Sequence, residues 1–278
     1  MIAAALALAA SLAWGVADFG AGWSTRRLPV FVVALAMQAS GLVLSAVVLA
    51  ATGERSPSWA QAGWAVFAAL TGVVGLCSFY QGLAVGTMGI VGPISTTAAL
   101  VPFAYGLARG ERPSALQLTG VALAVLGVVG ASLEPIPEGR GRRIGAGVGL
   151  ALLAACGFGA SLIGLSKAAP GGVVWATLIM RAVATPCMLA LALAFTPTRP
   201  AGRILPLLVL VGVFDASANF LFAAASTRGL LSVVAVLASL YPVVIVALAR
   251  ILLRERVARP QLAGVVVALA GVALVTSA

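Results

Sequence analysis

Residues 111–128 read ERPSALQLTGVALAVLGV, and residues 255–272 read ERVARPQLAGVVVALAGV. A shift of 144 residues lays one on the other without a gap, so that Glu111, Arg112, Gln117, Leu118, Gly120, Val121, Ala124, Gly127 and Val128 fall on Glu255, Arg256, Gln261, Leu262, Gly264, Val265, Ala268, Gly271 and Val272. The same shift carries Leu6, Ala7, Leu8, Ala10, Gly15 and Gly20 onto Leu150, Ala151, Leu152, Ala154, Gly159 and Gly164. Abundant alanine and glycine could produce the second set by chance. The Glu-Arg, Gln-Leu and glycine coincidences of the first set are hard to explain that way, so the chain is read as one unit used twice.

Composition says what kind of unit it is. Of 278 residues, 62% are hydrophobic and 9% are charged, and the mean hydropathy is +1.14. An ordinary soluble chain is about a quarter charged, because it must clothe a water-facing surface. Here the apolar residues come in blocks long enough to cross a hydrocarbon core of roughly 30 Å, which asks for about 17 to 25 residues of helix. Ten blocks can be laid down, at about 2–23, 29–51, 59–83, 87–108, 114–133, 145–166, 172–195, 203–226, 229–253 and 260–277. The longest connection, EPIPEGRGRR at 134–143, interrupts the hydropathy near the midpoint. The expected organisation is a first repeat at 1–134, a connecting loop at 135–144 and a second repeat at 145–278.

Five crossings per repeat oblige the second to enter the membrane from the opposite side. The expected fold class is therefore an all-α integral membrane protein of ten transmembrane helices, arranged as two inverted five-helix repeats. Secondary transporters use this design because related halves can exchange roles, opening a central site first to one side and then to the other.

Several function classes fall away. The net charge of +10 does not signal nucleic acid, since Arg26, Arg27, Arg140, Arg142, Arg143, Arg254, Arg256 and Arg259 flank apolar blocks, where they anchor the chain to lipid headgroups. The chain has no histidine, and Cys77, Cys156 and Cys187 lie apart inside apolar blocks, so neither a metal site nor a disulfide framework is readable. No cofactor is expected. The N-terminal block lacks a basic leader and runs past Trp14 and Asp18 without a cleavage site, so it is read as the first span rather than a signal peptide. No Gly-x-x-x-x-Gly-Lys loop couples nucleotide hydrolysis, which leaves a gradient as the source of free energy. A membrane-embedded enzyme would ask for clustered acidic, histidine or serine side chains that the spans do not supply, and a non-transporting membrane partner would give the inverted repeats no mechanical purpose. The expected partners are a small-molecule substrate and the lipid bilayer; the oligomeric state is open, and a monomer suffices for the architecture.

Ala13-Trp14-Gly15 in the first block, and Leu237-Ala-Ser-Leu-Tyr-Pro242 followed by Leu253-Arg-Glu-Arg256 and Gln261-Leu-Ala-Gly264 near the end, resemble the EamA-type members of the drug/metabolite transporter superfamily. The resemblance covers nearly the whole chain as two repeats. It implies a ten-helix exporter of a small organic metabolite, such as an amino acid or drug-like solute, in the bacterial inner membrane. It also implies that the first and eighth spans border a central cavity. The first repeat departs from the pattern, with Ala98 where Pro242 would fall and prolines at Pro93 and Pro102 instead, so no gating role is carried onto that half.

An ionisable group at mid-bilayer costs at least about 2.5 kcal/mol on insertion scales, so each demands a partner, a wet cavity or a function. Asp18, Arg181 and Asp215 are the three such groups. Asp215, Asn219, Phe222 and Ser226 recur at helical spacing on one face, as do Ser11, Trp14 and Asp18. Arg181 and Asp215 sit at comparable depth on adjacent spans and are expected to pair, either as a static ion pair or as one that opens during transport. Asp18 has no basic neighbour in sequence, and an unpaired carboxylate away from water favours its protonated form, which makes it the candidate proton carrier. Tyr80, Gln81, Ser95, Thr96, Thr97, Ser239 and Tyr241 are candidate ligand hydrogen-bonders, although hydroxyls in such helices more often bond back to the backbone. Gly120 with Gly127, and Gly145 with Gly149, read as close helix packing, and Glu111 and Glu255 as an architectural pairing at the membrane surface.

With ten spans both termini share one side. The loops there carry Arg55, Arg109, Arg112, Lys167 and Arg228, fewer basic residues than the loops opposite, so the positive-inside rule points to termini outside. The family resemblance implies termini in the cytoplasm.

Overall fold

The computed structural model describes residues 1–85, 88–132, 144–196, 202–253 and 259–277. Among these the regular structure is helical, and each apolar block is a helix within a few residues of its expected bounds. We number the spans α1 (Ile2–Thr25), α2 (Val30–Thr52), α3 (Trp59–Val85), α4 (88–108), α5 (Ala115–Ala131), α6 (Ile144–Ala168), α7 (Val173–Phe195), α8 (Leu205–Ser226), α9 (Leu231–Leu252) and α10 (Arg259–Thr276). Among the described residues, nine are long and apolar enough to cross a bilayer. The exception, α5, has 17 residues and at 1.5 Å per residue is about 26 Å long, a turn short of the hydrocarbon thickness.

Local chemistry sets the ends and the breaks. The Ser114 side chain accepts from the Gln117 N–H and the Gln117 side chain accepts from the Ser114 N–H, a reciprocal cap that starts α5. Gly53 ends α2 with φ of +59°, a left-handed conformation that glycine adopts without a Cβ clash. Two spans are broken. α4 consists of Met88–Thr96 and Leu100–Ala108 joined by the 3₁₀ turn Thr97–Ala99, and α9 of Leu231–Ala238 and Tyr241–Leu252. Pro93 and Pro242 each remove a backbone donor near these breaks. The hydroxyls considered as ligand donors there bond to their own helices: Ser95 to the Val91 carbonyl, Thr96 to Pro93, Thr97 to Ile94 and Ser239 to Val236, at 2.8, 2.7, 2.6 and 2.8 Å.

The repeats pack as their sequence relation requires. α3 lies along α6 as α8 lies along α1; α4 meets α6 as α9 meets α1; and α2 pairs with α7, and α5 with α10, across the twofold axis. The α5–α10 contact shows this at atomic level. A Cβ on Gly120 would stand 2.7 Å from the carbonyl oxygen of Gly271, and one on Gly264 would stand 2.7 Å from that of Gly127. Gly127 lies on the backbone of Ala268, and Gly271 on that of Ala124. The 144-residue shift turns the first member of each pair of contacts into the second. Lipid tails supply no hydrophobic drive between helices, so backbone approach through small residues is what holds them. Gly149 differs from its expected packing role: a Cβ there would meet nothing within 4 Å.

On the side of the termini the two repeats are fastened by carboxylates. Glu54, just past α2, accepts hydrogen bonds from the backbone N–H groups of Val174 and Trp175, both at 3.0 Å, while the Trp175 indole donates to the Glu54 carbonyl at 2.9 Å. Glu111, just past α4, accepts from the N–H groups of Leu231 and Ser232 at 2.9 Å and from the Ser232 hydroxyl at 2.6 Å. Each carboxylate satisfies orphan donors and meets the positive end of the helix dipole. Glu111 is thus an architectural residue whose partner is the start of α9; Glu255 lies outside the described residues.

Gly127→Val should push α5 off α10 and cost about 1–3 kcal/mol or more, read as a lowered thermal-unfolding midpoint in detergent. Gly149→Ala, which meets open space, should leave the midpoint unchanged or raised.

Candidate functional site

A guanidinium inside a membrane helix must find its counter-charge and its acceptors within the protein. Arg181, in α7, is 1% exposed. Its Nη2 lies 2.5 Å from Oδ2 of Asp215 on α8, and its Nη1 donates to Oε1 of Gln38 on α2. Gly41, one turn beyond Gln38, makes room for it: a Cβ there would lie 3.2 Å from the Arg181 Nε and 3.4 Å from its Cδ. Three helices, one from the first repeat and two from the second, therefore converge on one side chain.

Asp215 keeps 16% of its side-chain surface accessible. One turn along α8, the Asn219 amide donates to the Asp215 backbone carbonyl at 2.8 Å, so this buried side chain is engaged by its own helix. Phe222, a further turn on, is fully buried and packs behind Trp14, their ring centroids 5.9 Å apart. The face expected to line a cavity thus splits, with Asp215 accessible while Asn219 and Phe222 close the wall behind it.

Asp18 faces this cluster from α1. It is half-buried and lies within electrostatic reach of Asp215. Among the described residues no cation pairs with it. Tyr80 on α3 is within reach of both carboxylates, and Tyr241, at the break of α9, within reach of Asp18. The approach of α1 to α9 brings Tyr241 toward Asp18. A Cβ on Gly15 would stand 3.0 Å from the Tyr241 carbonyl oxygen and would strike Val244, so the helix carrying Trp14 and Asp18 presses directly on the backbone at Tyr241. Trp14 is half-buried, one turn before Asp18. Gln81 is exposed, beside Tyr80 on α3.

The sequence-predicted residues Trp14, Asp18, Tyr80, Arg181, Asp215 and Tyr241 are thus brought to one region; Asn219 and Phe222 adjoin it, and Gln81 is exposed next to Tyr80 in the chain. Gln38 and Gly41 complete the site and were not among the expected residues. The available signal was the one side-chain amide in the stretch 30–52, whose other polar residues are the hydroxyls Ser40, Ser45 and Thr52. Chemically, the arrangement offers one internally neutralised ion pair, one unpaired carboxylate and aromatic surfaces. Among the described residues no group of three His, Cys, Asp or Glu side chains is placed to hold a metal ion.

Comparison with known proteins agrees with the fold. A solved crystal structure superimposes with a TM-score of 0.81 over 99% of this chain and 96% of its own, at 16% identity; at that identity the likeness speaks for the fold alone. No curated protein matches the chain. The pattern of the EamA-like transporter family matches residues 1–133 and again 145–277, the same two units that the 144-residue shift and the α5–α10 contact relate. With both repeats matched and nearly the whole length covered, the chain belongs to the EamA-like transporter family.

Proposed function

We propose that this membrane transporter is a secondary active exporter of a small organic solute, working by alternating access in the bacterial inner membrane with the proton gradient as its source of energy. The observation that carries the reading is the unpaired Asp18 carboxylate beside the Arg181–Asp215 pair, built from helices of both repeats. A site shared between two inverted units changes its exposure when one unit rocks against the other. Asp18 can take up or release a proton without breaking an ion pair, whereas Asp215 is held in one by Arg181.

The carboxylate contacts of Glu54 and Glu111 join the repeats on the terminal side. In this conformation they favour entry from the opposite side, and they have to part when the site turns toward the termini. Their donors are backbone amides at helix starts, which water can satisfy once the surfaces separate.

Purified protein in liposomes, screened for solute flux with and without a pH gradient, tests the reading. The gradient should accelerate flux, and Asp18→Asn should remove that acceleration while leaving the protein folded; unchanged coupling in the variant would take the proton away from Asp18. Arg181→Gln alone should strand Asp215 and lower stability by about 3–5 kcal/mol, whereas Arg181→Gln with Asp215→Asn should restore much of the fold. Loss of flux in that double variant would show that the pair serves transport; full flux would reduce it to a structural ion pair.

A further inference from the structure

We propose that Cys77 and Cys187 together form a binding site for a soft divalent metal ion, mercuric ion being the example that fits, and that an ion held there ties the first repeat to the second.

The two thiols stand on different repeats, Cys77 on α3 and Cys187 on α7, and these helices pack against each other. As odd-numbered spans, both leave the terminal side and cross in the same direction. Their register is set at that end, where a Cβ on Gly171 would strike the side-chain oxygen of Gln61. Cys77 lies sixteen residues beyond Gln61, and Cys187 lies sixteen beyond Gly171. At 1.5 Å per residue both sit about 24 Å from that contact, and so at one depth. The thiols lie within electrostatic reach of each other across the pair of helices. Each is half-buried and outside any disulfide, whereas Cys156 on α6 is exposed.

Two sulfurs at one depth select the kind of ion. Thiolates prefer soft metals, and a pair of them suffices only for an ion content with two ligands. Zinc would ask for four. The chain has no histidine, and among the described residues no third acidic or sulfur group joins the pair to hold a metal. Charge narrows the choice further. Two thiolates cancel a divalent ion and leave a neutral bridge, whereas a monovalent silver or cuprous ion would leave a net negative charge among the spans, where ionic groups are costly. With mercuric chloride as the source, two S–Hg bonds form and two Hg–Cl bonds break, while both thiol protons and both chlorides leave to solvent. Tyr80, one turn beyond Cys77, belongs to the central site and lies within reach of the Cys77 thiol. A metal ion between the two sulfurs would therefore fix α3 against α7 at the edge of that site.

The test uses the purified full chain in detergent carrying Cys156→Ala, which removes the exposed thiol and leaves the pair. Mercuric chloride should bind at one ion per chain and consume both thiols, counted with a thiol reagent after unfolding. It should also raise the thermal-unfolding midpoint by at least about 5 °C. Methylmercuric chloride makes a single S–Hg bond, so it should bind at two per chain and give no such rise. Adding either Cys77→Ser or Cys187→Ser should abolish the mercuric rise. Two mercuric ions per chain, a rise reproduced by methylmercury or equalled by silver ion, a rise that survives either serine substitution, or a bridge formed between chains instead of within one would each overturn the proposal. The comparison of mercuric with methylmercuric ion needs neither serine variant, and it decides the matter where one of them fails to fold.

Discussion

Arg181 cannot give up its charge and cannot be left in hydrocarbon alone, and much of the interior is arranged to satisfy that constraint. Asp215 supplies the counter-charge, Gln38 supplies a neutral acceptor, and Gly41 gives the side chain a place to lie. Because these residues sit on α8 and α2, the guanidinium ties its own helix to a neighbour within its repeat and to one from the other repeat. The consequence for chemistry is a negative one. Among the described residues the Arg181 Nε still lacks an acceptor, but at 1% exposure the cation is closed off by the protein, and the accessible charge is carried by the carboxylates.

Holding polar groups at such depth requires a frame that closes without a hydrophobic drive between its helices. The frame is twofold, and glycine sets it. At the α5–α10 contact, Gly120, Gly127, Gly264 and Gly271 allow backbone to rest on backbone, and each contact has its image under the 144-residue shift. Near the membrane surface a different device joins the halves, with the Glu54 and Glu111 carboxylates seated on the first amides of α7 and α9. The glycine contact is dry, symmetric and made of backbone. The carboxylate contacts are polar and lie at helix ends where water can replace them. A motion of one repeat against the other would keep the first and exchange the second.

The fold was legible because its signals are local and repeated. Apolar blocks of spanning length are set by bilayer thickness, and a gap-free repetition of Gln117, Gly120 and Gly127 by Gln261, Gly264 and Gly271 states the symmetry outright. The charged centre was legible for the same reason that it is costly, since Asp18, Arg181 and Asp215 stand out against an apolar background. What could not be read was partnership across the chain. Glu54 caps a helix 120 residues away, and nothing around it in sequence distinguishes it from a loop carboxylate. Gln38 and Gly41 are ordinary polar and small residues until α7 is packed against α2. Helical spacing also over-reached on α8, where Asp215, Asn219 and Phe222 share a face but only Asp215 keeps more than a tenth of its surface accessible.

The central claim is that the two repeats must move against each other for the site to be served from both sides. The most direct test locks them on the terminal side, by placing thiols at Glu111→Cys and Ser232→Cys, whose native side chains meet at 2.6 Å, and bridging them with a short bifunctional reagent. The account predicts that the bridged protein still binds solute from the opposite side but no longer carries it across liposome membranes, and that cleaving the bridge restores flux. Undiminished flux through the bridged protein would contradict it.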